Sequence, residues 1–266
     1  MELTMLGTGN ALVTECYNTC FVLQEDQKYF MVDGGGGSTI LHQLKHAGIN
    51  WKDIKTIFVT HKHIDHITGI IWMMRMICQH MRQGEYEGDA TIYAHEEVIE
   101  LLKDLAEKLL QKKDVAFIGK RLHLISVADD ESVSILSKKL RSSISSRRKR
   151  NNSVSVWNWE MEKNLPVAAM SHIIHVKNST QRTAHGYYMK HSVWRAKQIF
   201  FHPYEKHHST VADASKLAEE LHVKNLLLYH TEDKNLLLRK ELYQNEGRKY
   251  FNGTIFVPED LETLVL

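Results

Sequence analysis

The stretch Thr60-His61-Lys62-His63-Ile64-Asp65-His66-Ile67-Thr68-Gly69 constrains this chain more than any other. It follows "KTIFVT" (Lys55 to Thr60), whose β-branched and aromatic content reads as a short buried strand. The metal-ligand side chains of His61, His63, Asp65 and His66 therefore crowd a loop just past a strand end. Imidazole nitrogen and carboxylate oxygen are donors that Zn2+ prefers, and a catalytic site keeps one position open for water. The H-x-H spacing lets His61 and His63 face one ion, while Asp65 and His66, one step further round the loop, point to a second. With two ions about 3.5–4 Å apart, a bridging hydroxide becomes a nucleophile at neutral pH and the leaving oxygen is stabilised. A lone histidine is usually a solvated surface residue. Here the ligand types and the spacing coincide after a buried strand, and that coincidence carries the signal. The cluster is too small to close a dinuclear site, so further ligands must come from elsewhere in the chain.

At 266 residues and 43% hydrophobic, the chain has room for one large domain with a sizeable core, and residues 1–266 are read as a single domain. No run of about 18 apolar residues occurs, and no basic head precedes an apolar run, so neither a membrane span nor a signal peptide is expected. Cys16, Cys20 and Cys78 make no disulfide framework, and the expected location is a reducing cytoplasm. A net charge of +2 selects no nucleic-acid partner. The 17 histidines suit a metal protein, although most are expected at the surface.

Elements are legible at both ends of the chain. "ELTMLGTGNA" reads as a strand entering a Gly-rich turn, and "TCFVLQ" with "KYFMVDGGGG" as a hairpin ending in a loop. Helical spacing runs from Ser38 to Gly48, from Gly69 to Gln83 and from Glu96 to Lys112. In the last third, Thr210–Leu221 and Asn235–Glu246 read as helices. "NLLLYH" is a strand that delivers His230 at its end, and "GTIFVPED" is a final strand. Strands alternating with helices in both halves predict sheet layers covered by helices.

The motif "THKHIDHITG" resembles the signature of the metallo-β-lactamase fold. "MLGTGNALVTECYNTCFVL", "MVDGGGGSTILHQLKHAGINWKDIKTIFVTH" and "EKHHSTVADASKLAEELHVKNLLLYHTED" resemble the ribonuclease Z branch of that superfamily. The resemblance covers roughly residues 1–136 and 200–266. It implies an α/β fold, an αββα sandwich, with two Zn2+ ions (Mn2+ is the alternative) at the sheet edges and cleavage of a phosphodiester or related ester. By the same resemblance His61 and His63 hold the first ion, and Asp65, His66 and His230 the second. Asp65 is also the candidate general base, and His208 in "HHST" the residue assisting the leaving group. Ser209 or Thr210 as a plain helix cap is the other reading of that segment. Asp33 stands where the family has a carboxylate that orients the ligands. A homodimer is the implied assembly.

From about Lys138 to Ile199 the chain departs from the pattern. Periodicity is weak, Ser, Arg and Lys abound, and three of the five tryptophans (Trp157, Trp159, Trp194) fall there. This middle is expected to be irregular or poorly ordered, although so many tryptophans argue against a disordered insertion. The resemblance calls for a third histidine on the first ion and a Gly-Asp turn whose carboxylate bridges both. Neither is visible, and no Gly-Asp pair occurs in the segment.

A displaced reading frame accounts for the gap. Val167 to Val176 can be encoded as gtt gcg gcg atg agc cat ata ata cat gta, which read from the third base gives Cys-Gly-Asp-Glu-Pro-Tyr-Asn-Thr-Cys. At the same offset His185–Val193 can yield Trp-Leu-Leu-His-Glu-Ala-Phe-Cys, and Arg147–Ser155 can yield Thr-Lys-Ala-Lys-Gln-Phe-Gly-Phe. Codon choice is free, but three family-like segments appear in order at one offset. Ser145-Ser146 generates no histidine under any codons, and a divergent insertion is the rival account. His172, His175, His185 and His191 are weaker substitutes for the missing ligands.

The function expected is therefore a metal-dependent hydrolase, similar to ribonuclease Z, acting through activated hydroxide. The tRNA-processing enzymes carry a protruding arm with Gly and Pro. None is visible here, with three prolines in the chain, which shifts weight from an RNA substrate toward a smaller phosphodiester. The basic run Arg147–Arg150 would ordinarily raise nucleic-acid contact, but under the frame account it is an accident of translation. The rivals are a degenerate, non-catalytic or weakly metal-binding product, and thioester or lactone hydrolysis on the same fold.

Overall fold

The structure, a computed structural model, describes residues 1–128, 131–136, 138–143, 156–160, 167–171, 186–193 and 209–266. For the strands between 138 and 193 it describes the backbone alone. The chain forms two compact units. The first comprises Met1–Ala11, Cys16–Ala128 and Glu259–Leu266, and the second Leu12–Glu15 and Asp129–Pro258.

In the first unit, β1 (Glu2–Gly7), β2 (Cys20–Glu25), β3 (Lys28–Val32), β4 (Ile54–Val59), β5 (Ala90–Ala94), β6 (Leu122–Ser126) and β15 (Thr263–Val265) form one sheet, in the order β15-β1-β2-β3-β4-β5-β6. Pairing is antiparallel from β15 through β3 and parallel from β3 through β6. The β2–β3 hairpin turns at Asp26 and Gln27, both at positive φ, the geometry that matches strand twist. The parallel pairs require crossovers, which are α1 (Thr39–His46), α2 (Ile64–Gln83), and α3 (Glu96–Leu109) with α4 (Lys112–Val115). Phe30, Met31 and Val32 on β3, and Ile57, Phe58 and Val59 on β4, are buried consecutively rather than alternately. Strands of a parallel region shielded on both faces read this way. Ile70, Met73, Met74, Ile77 and Met81 of α2 join Ile57, Ile92 and Leu122 in the core.

In the second unit the sheet order is β14-β13-β11-β10-β9-β8-β7. Its strands are β7 (Ser132–Ile135), β8 (Lys138–Ser143), β9 (Val156–Glu160), β10 (Val167–Ser171), β11 (Gly186–Val193), β13 (Asn225–Tyr229) and β14 (Thr254–Phe256), with β12 (Ser209–Thr210) pairing β11. Helix α5 (Val211–Glu220) opens with a capping box. The Thr210 hydroxyl accepts the Asp213 N–H at 3.1 Å, and the Asp213 carboxylate accepts the Thr210 N–H at 3.0 Å. Val211, Ala214 and Ala218 pack with Leu226, Leu228, Ile255 and Tyr243 of α6 (Arg239–Gly247).

Several boundaries differ from expectation. Helix α2 starts at Ile64, not at Gly69, so Asp65 and His66 lie in its first turn and His63, with extended backbone, is its N-cap. Asp65 suits that place, since the helix's positive end favours a carboxylate. The β-branched Ile64 and Ile67 mask the helical signal in the sequence. Helix α3 stops at Leu109 because Leu110 turns extended, and Lys112 begins a separate turn. Strands β5, β6, β7 and β15 were not anticipated. Of the middle segment, strands β8 to β11 are seen, and the rest of 138–199 lies outside the described residues. No helix among the described residues is long and apolar enough to cross a membrane.

The Gly-rich loop after β3 meets the first turns of α2 backbone to backbone. Gly34 N–H donates to the His66 carbonyl and Gly69 N–H to the Gly35 carbonyl, both at 2.9 Å. A Cβ on Gly69 would overlap the Gly34 carbonyl, and one on Gly34 would overlap the backbone of Gly69 and Ile70. Gly69→Ala is accordingly expected to destabilise the protein by about 1–3 kcal/mol through overpacking, read as a lower urea midpoint, whereas Gly84→Ala, at an open C-cap with φ +76, should act through backbone strain alone.

Candidate metal centre

The centre is built where β4 ends and α2 begins. Thr60 closes the strand and is held by Asp33, which follows β3 at φ 58. The Thr60 N–H donates to Asp33 Oδ1 at 2.8 Å and its hydroxyl to Asp33 Oδ2 at 2.7 Å. The same Oδ2 lies 2.8 Å from His66 Nδ1. A carboxylate only accepts, so His66 Nδ1 carries a hydrogen. On its other side, His66 Nε2 lies 3.3 Å from Asp65 Oδ2. Both His66 (2% exposed) and Asp65 (5%) are buried. Burial works against charging His66, but the Asp33 and Asp65 carboxylates outweigh it and raise its pKa to about 10. Burial likewise pushes the Asp65 carboxyl up, and the hydrogen bond and charge of His66 more than reverse this, holding it below the usual range.

A chain of bonds also orients the other two imidazoles. Thr60 gives its single hydroxyl hydrogen to Asp33, so it accepts from His61 Nδ1, 2.9 Å away. His61 Nε2 then bears a lone pair and lies 3.0 Å from His63 Nδ1. That is close to the separation of about 3 Å kept by two nitrogens bound to one ion at about 2.0–2.1 Å. The His61 ring centroid is 4.1 Å from that of His66 and 4.5 Å from that of His63. Buried Asp65 and His66 thus adjoin half-buried His61 and exposed His63. Nitrogen and carboxylate donors, with His61 pinned by Thr60 and His66 by Asp33, are a set that fits a divalent cation.

A sequence profile described as anti-Pycsar protein Apyc1 matches residues 1–251. The chain belongs to the anti-Pycsar protein Apyc1 family. Among curated proteins it resembles the ribonuclease Z of Treponema pallidum, 30% identical over 80 residues. That match takes in 30% of this chain and 25% of the ribonuclease, so only about a quarter of the relative's length is spanned. Among solved structures it resembles the metallo-β-lactamase fold protein YhfI from Bacillus subtilis, with a TM-score of 0.75 and 15% identity, over 99% of this chain and 98% of that one. It also resembles the short form of human tRNase Z, with a TM-score of 0.67 and 16% identity, over 100% and 99% of the two chains. The fold is that of the metallo-β-lactamases, as the resemblance of the His61–His66 motif implied, and the ribonuclease Z likeness read from the sequence recurs among the curated relatives.

The anticipated residues fall as follows. His61, His63, Asp65 and His66 converge within the first unit, with Asp33 behind them. His230 lies in the second unit, directly after β13, buried and at φ 59. His208 lies outside the described residues, as do His172, His175 and His185, and His191 is described only as backbone of β11.

Two supporting residues escaped sequence reasoning. Arg239, 3% exposed, donates to Thr231 Oγ1 and to the Pro258 carbonyl, both at 2.8 Å, and braces the strand end that carries His230. Asp260 accepts from the Thr8 N–H at 2.9 Å and the Tyr17 N–H at 2.5 Å, while the Tyr17 hydroxyl donates to the Gly34 carbonyl at 2.8 Å. Their partners lie from 8 residues (Thr231) to 252 residues (Thr8) away in the chain, and no local pattern marks them.

Asp33→Ala should leave the buried His66 and Thr60 donors without their acceptor and cost about 3 kcal/mol or more. Thr60→Val, which removes one neutral hydroxyl, should cost only about 1 kcal/mol. Equal urea midpoints for the two variants would contradict the central place given to Asp33.

Proposed function

We propose that this protein is a divalent-metal-dependent hydrolase that cleaves a small phosphodiester. The observation that carries the reading is the Asp33–His66–Asp65 array beside the His61–His63 pair, with imidazole nitrogens and carboxylate oxygens gathered at one strand end. Zn2+, with Mn2+ as the alternative, suits the donor set, and His61, His63, Asp65, His66 and His230 are the proposed ligands. A divalent ion bound there supplies a Lewis acid that lowers the pKa of water and polarises a phosphoryl oxygen.

The chain's own residues do the rest. Asp33 orients the His66 ring through its Nδ1 hydrogen, and Thr60 does the same for His61. Asp65, ionised and held by His66, is proposed to accept a proton from the attacking water. His208 is proposed to give a proton to the departing oxygen. The curated relatives are named ribonuclease Z, which supports phosphodiester chemistry. Family membership supports a role in opposing a Pycsar system, with that chemistry as the means.

A second reading is kept alive by the segment 138–199. If the displaced frame is real, the bridging aspartate and third histidine are absent from this chain, and it is a weakly metal-binding, non-catalytic product. Metal content separates the readings: about two ions per chain for a complete centre, fewer for a degenerate one.

Turnover of bis(p-nitrophenyl) phosphate, of cyclic mononucleotides and of a structured RNA should be compared with Zn2+ or Mn2+ for this chain and for its frame-restored counterpart. Faster cleavage of the small esters than of RNA is expected. Asp65→Asn should lower the rate by about 10²–10⁴, and Asp33→Asn should weaken metal binding by about 10–100-fold. No hydrolysis by the frame-restored protein with either metal would remove the enzymatic reading.

A further inference from the structure

Away from the centre described above, a second pair of side chains in the first unit has ligand chemistry: His42 and His46 on α1. Four residues apart on a helix, they project from one face, and both are exposed. Their rings stack with centroids 3.9 Å apart and planes inclined by 29°.

The hydrogen bonds fix which nitrogen of each ring is available. His46 Nδ1 lies 3.0 Å from the backbone carbonyl of His42. A carbonyl only accepts, so Nδ1 carries the hydrogen and Nε2 the lone pair. His42 Nδ1 lies 3.4 Å from Gln43 Oε1. The Gln43 amide is itself oriented, because its Nε2 donates to the Leu6 carbonyl at 2.5 Å in the core. Its oxygen end therefore faces His42, whose Nδ1 also carries the hydrogen. Each imidazole thus keeps an outward Nε2 lone pair and anchors its other nitrogen on a carbonyl, as metal-bound histidines do. His46 also sits in the last turn of the helix, where the negative end of the dipole favours a cation.

We propose that His42 and His46 form a peripheral chelating site for a late divalent transition metal, Cu2+ ahead of Zn2+. Two nitrogens bound to one ion at about 2.0–2.1 Å sit about 3 Å apart, a separation that turning these two neighbouring, exposed rings on one helix face can reach. Imidazole suits both metals, and the intrinsic order of affinities favours Cu2+. Water completes the coordination on the open side. An ion there clips the end of α1 across its final turn.

The test titrates Cu2+ alone into protein preloaded with Zn2+ and follows it by electron paramagnetic resonance, where nitrogen ligands split the signal. His42→Ala and His46→Ala should each remove one copper equivalent, or weaken it by about tenfold or more. Asp65→Asn should retain that equivalent. Copper should raise the thermal midpoint of the unaltered chain and not that of His46→Ala. Alanine is a better helix former than histidine and both sites face solvent, so the variants should fold, which circular dichroism verifies. Unchanged copper uptake in His42→Ala and His46→Ala would overturn the proposal, as would loss of the equivalent in Asp65→Asn, which would assign the ion to the main centre.

Discussion

One carboxylate organises the centre. Asp33 takes the Thr60 N–H and hydroxyl and the His66 ring hydrogen, so the end of β4 and the start of α2 share one buried acceptor. An ionised group in that position must be fully hydrogen-bonded to be tolerated, and here both oxygens are engaged. The left-handed backbone at Asp33 is retained because these bonds over-determine it.

The bonds also require that two backbones approach closely. Gly34 and Gly69 meet without side chains between them, and the first turn of α2 is drawn against the Gly-rich loop by paired N–H···O=C bonds. Tyr17, held by Asp260, steadies the loop from its other side. The result is a pair of imidazoles, His61 and His66, whose ring orientations are held by hydrogen bonds to Thr60 and Asp33. In the second unit, Arg239 gives His230 a comparable support by tying Thr231 to the Pro258 carbonyl.

Much of this was legible in the sequence because it is local. The H-x-H-x-D-H spacing, the buried strand before it, the helix after the glycine run and the strand ending at His230 depend on neighbours within a few residues. The start of α2 was not legible, since the β-branched Ile64 and Ile67 hide the helix and the cap is a histidine with no side-chain capping bond. Strands β5 and β6 were missed as well: "ATIYA" and "LHLIS" are short and adjoin stronger helical patterns, and the pairing of β5 with β4 and of β6 with β5 decides them.

The sequence by itself determined the chemistry on offer: four clustered metal donors, a candidate orienting aspartate and a distant histidine at a strand end. It did so because ligand type and spacing are properties of the chain. Only the tertiary structure decided how the His61 and His66 rings are oriented, that Asp33 serves Thr60 and His66 at once, and that Arg239 and Asp260 brace the flanking segments. Those outcomes depend on contacts between residues far apart in the chain, where a hydrogen bond's direction is set by the partner that packing supplies.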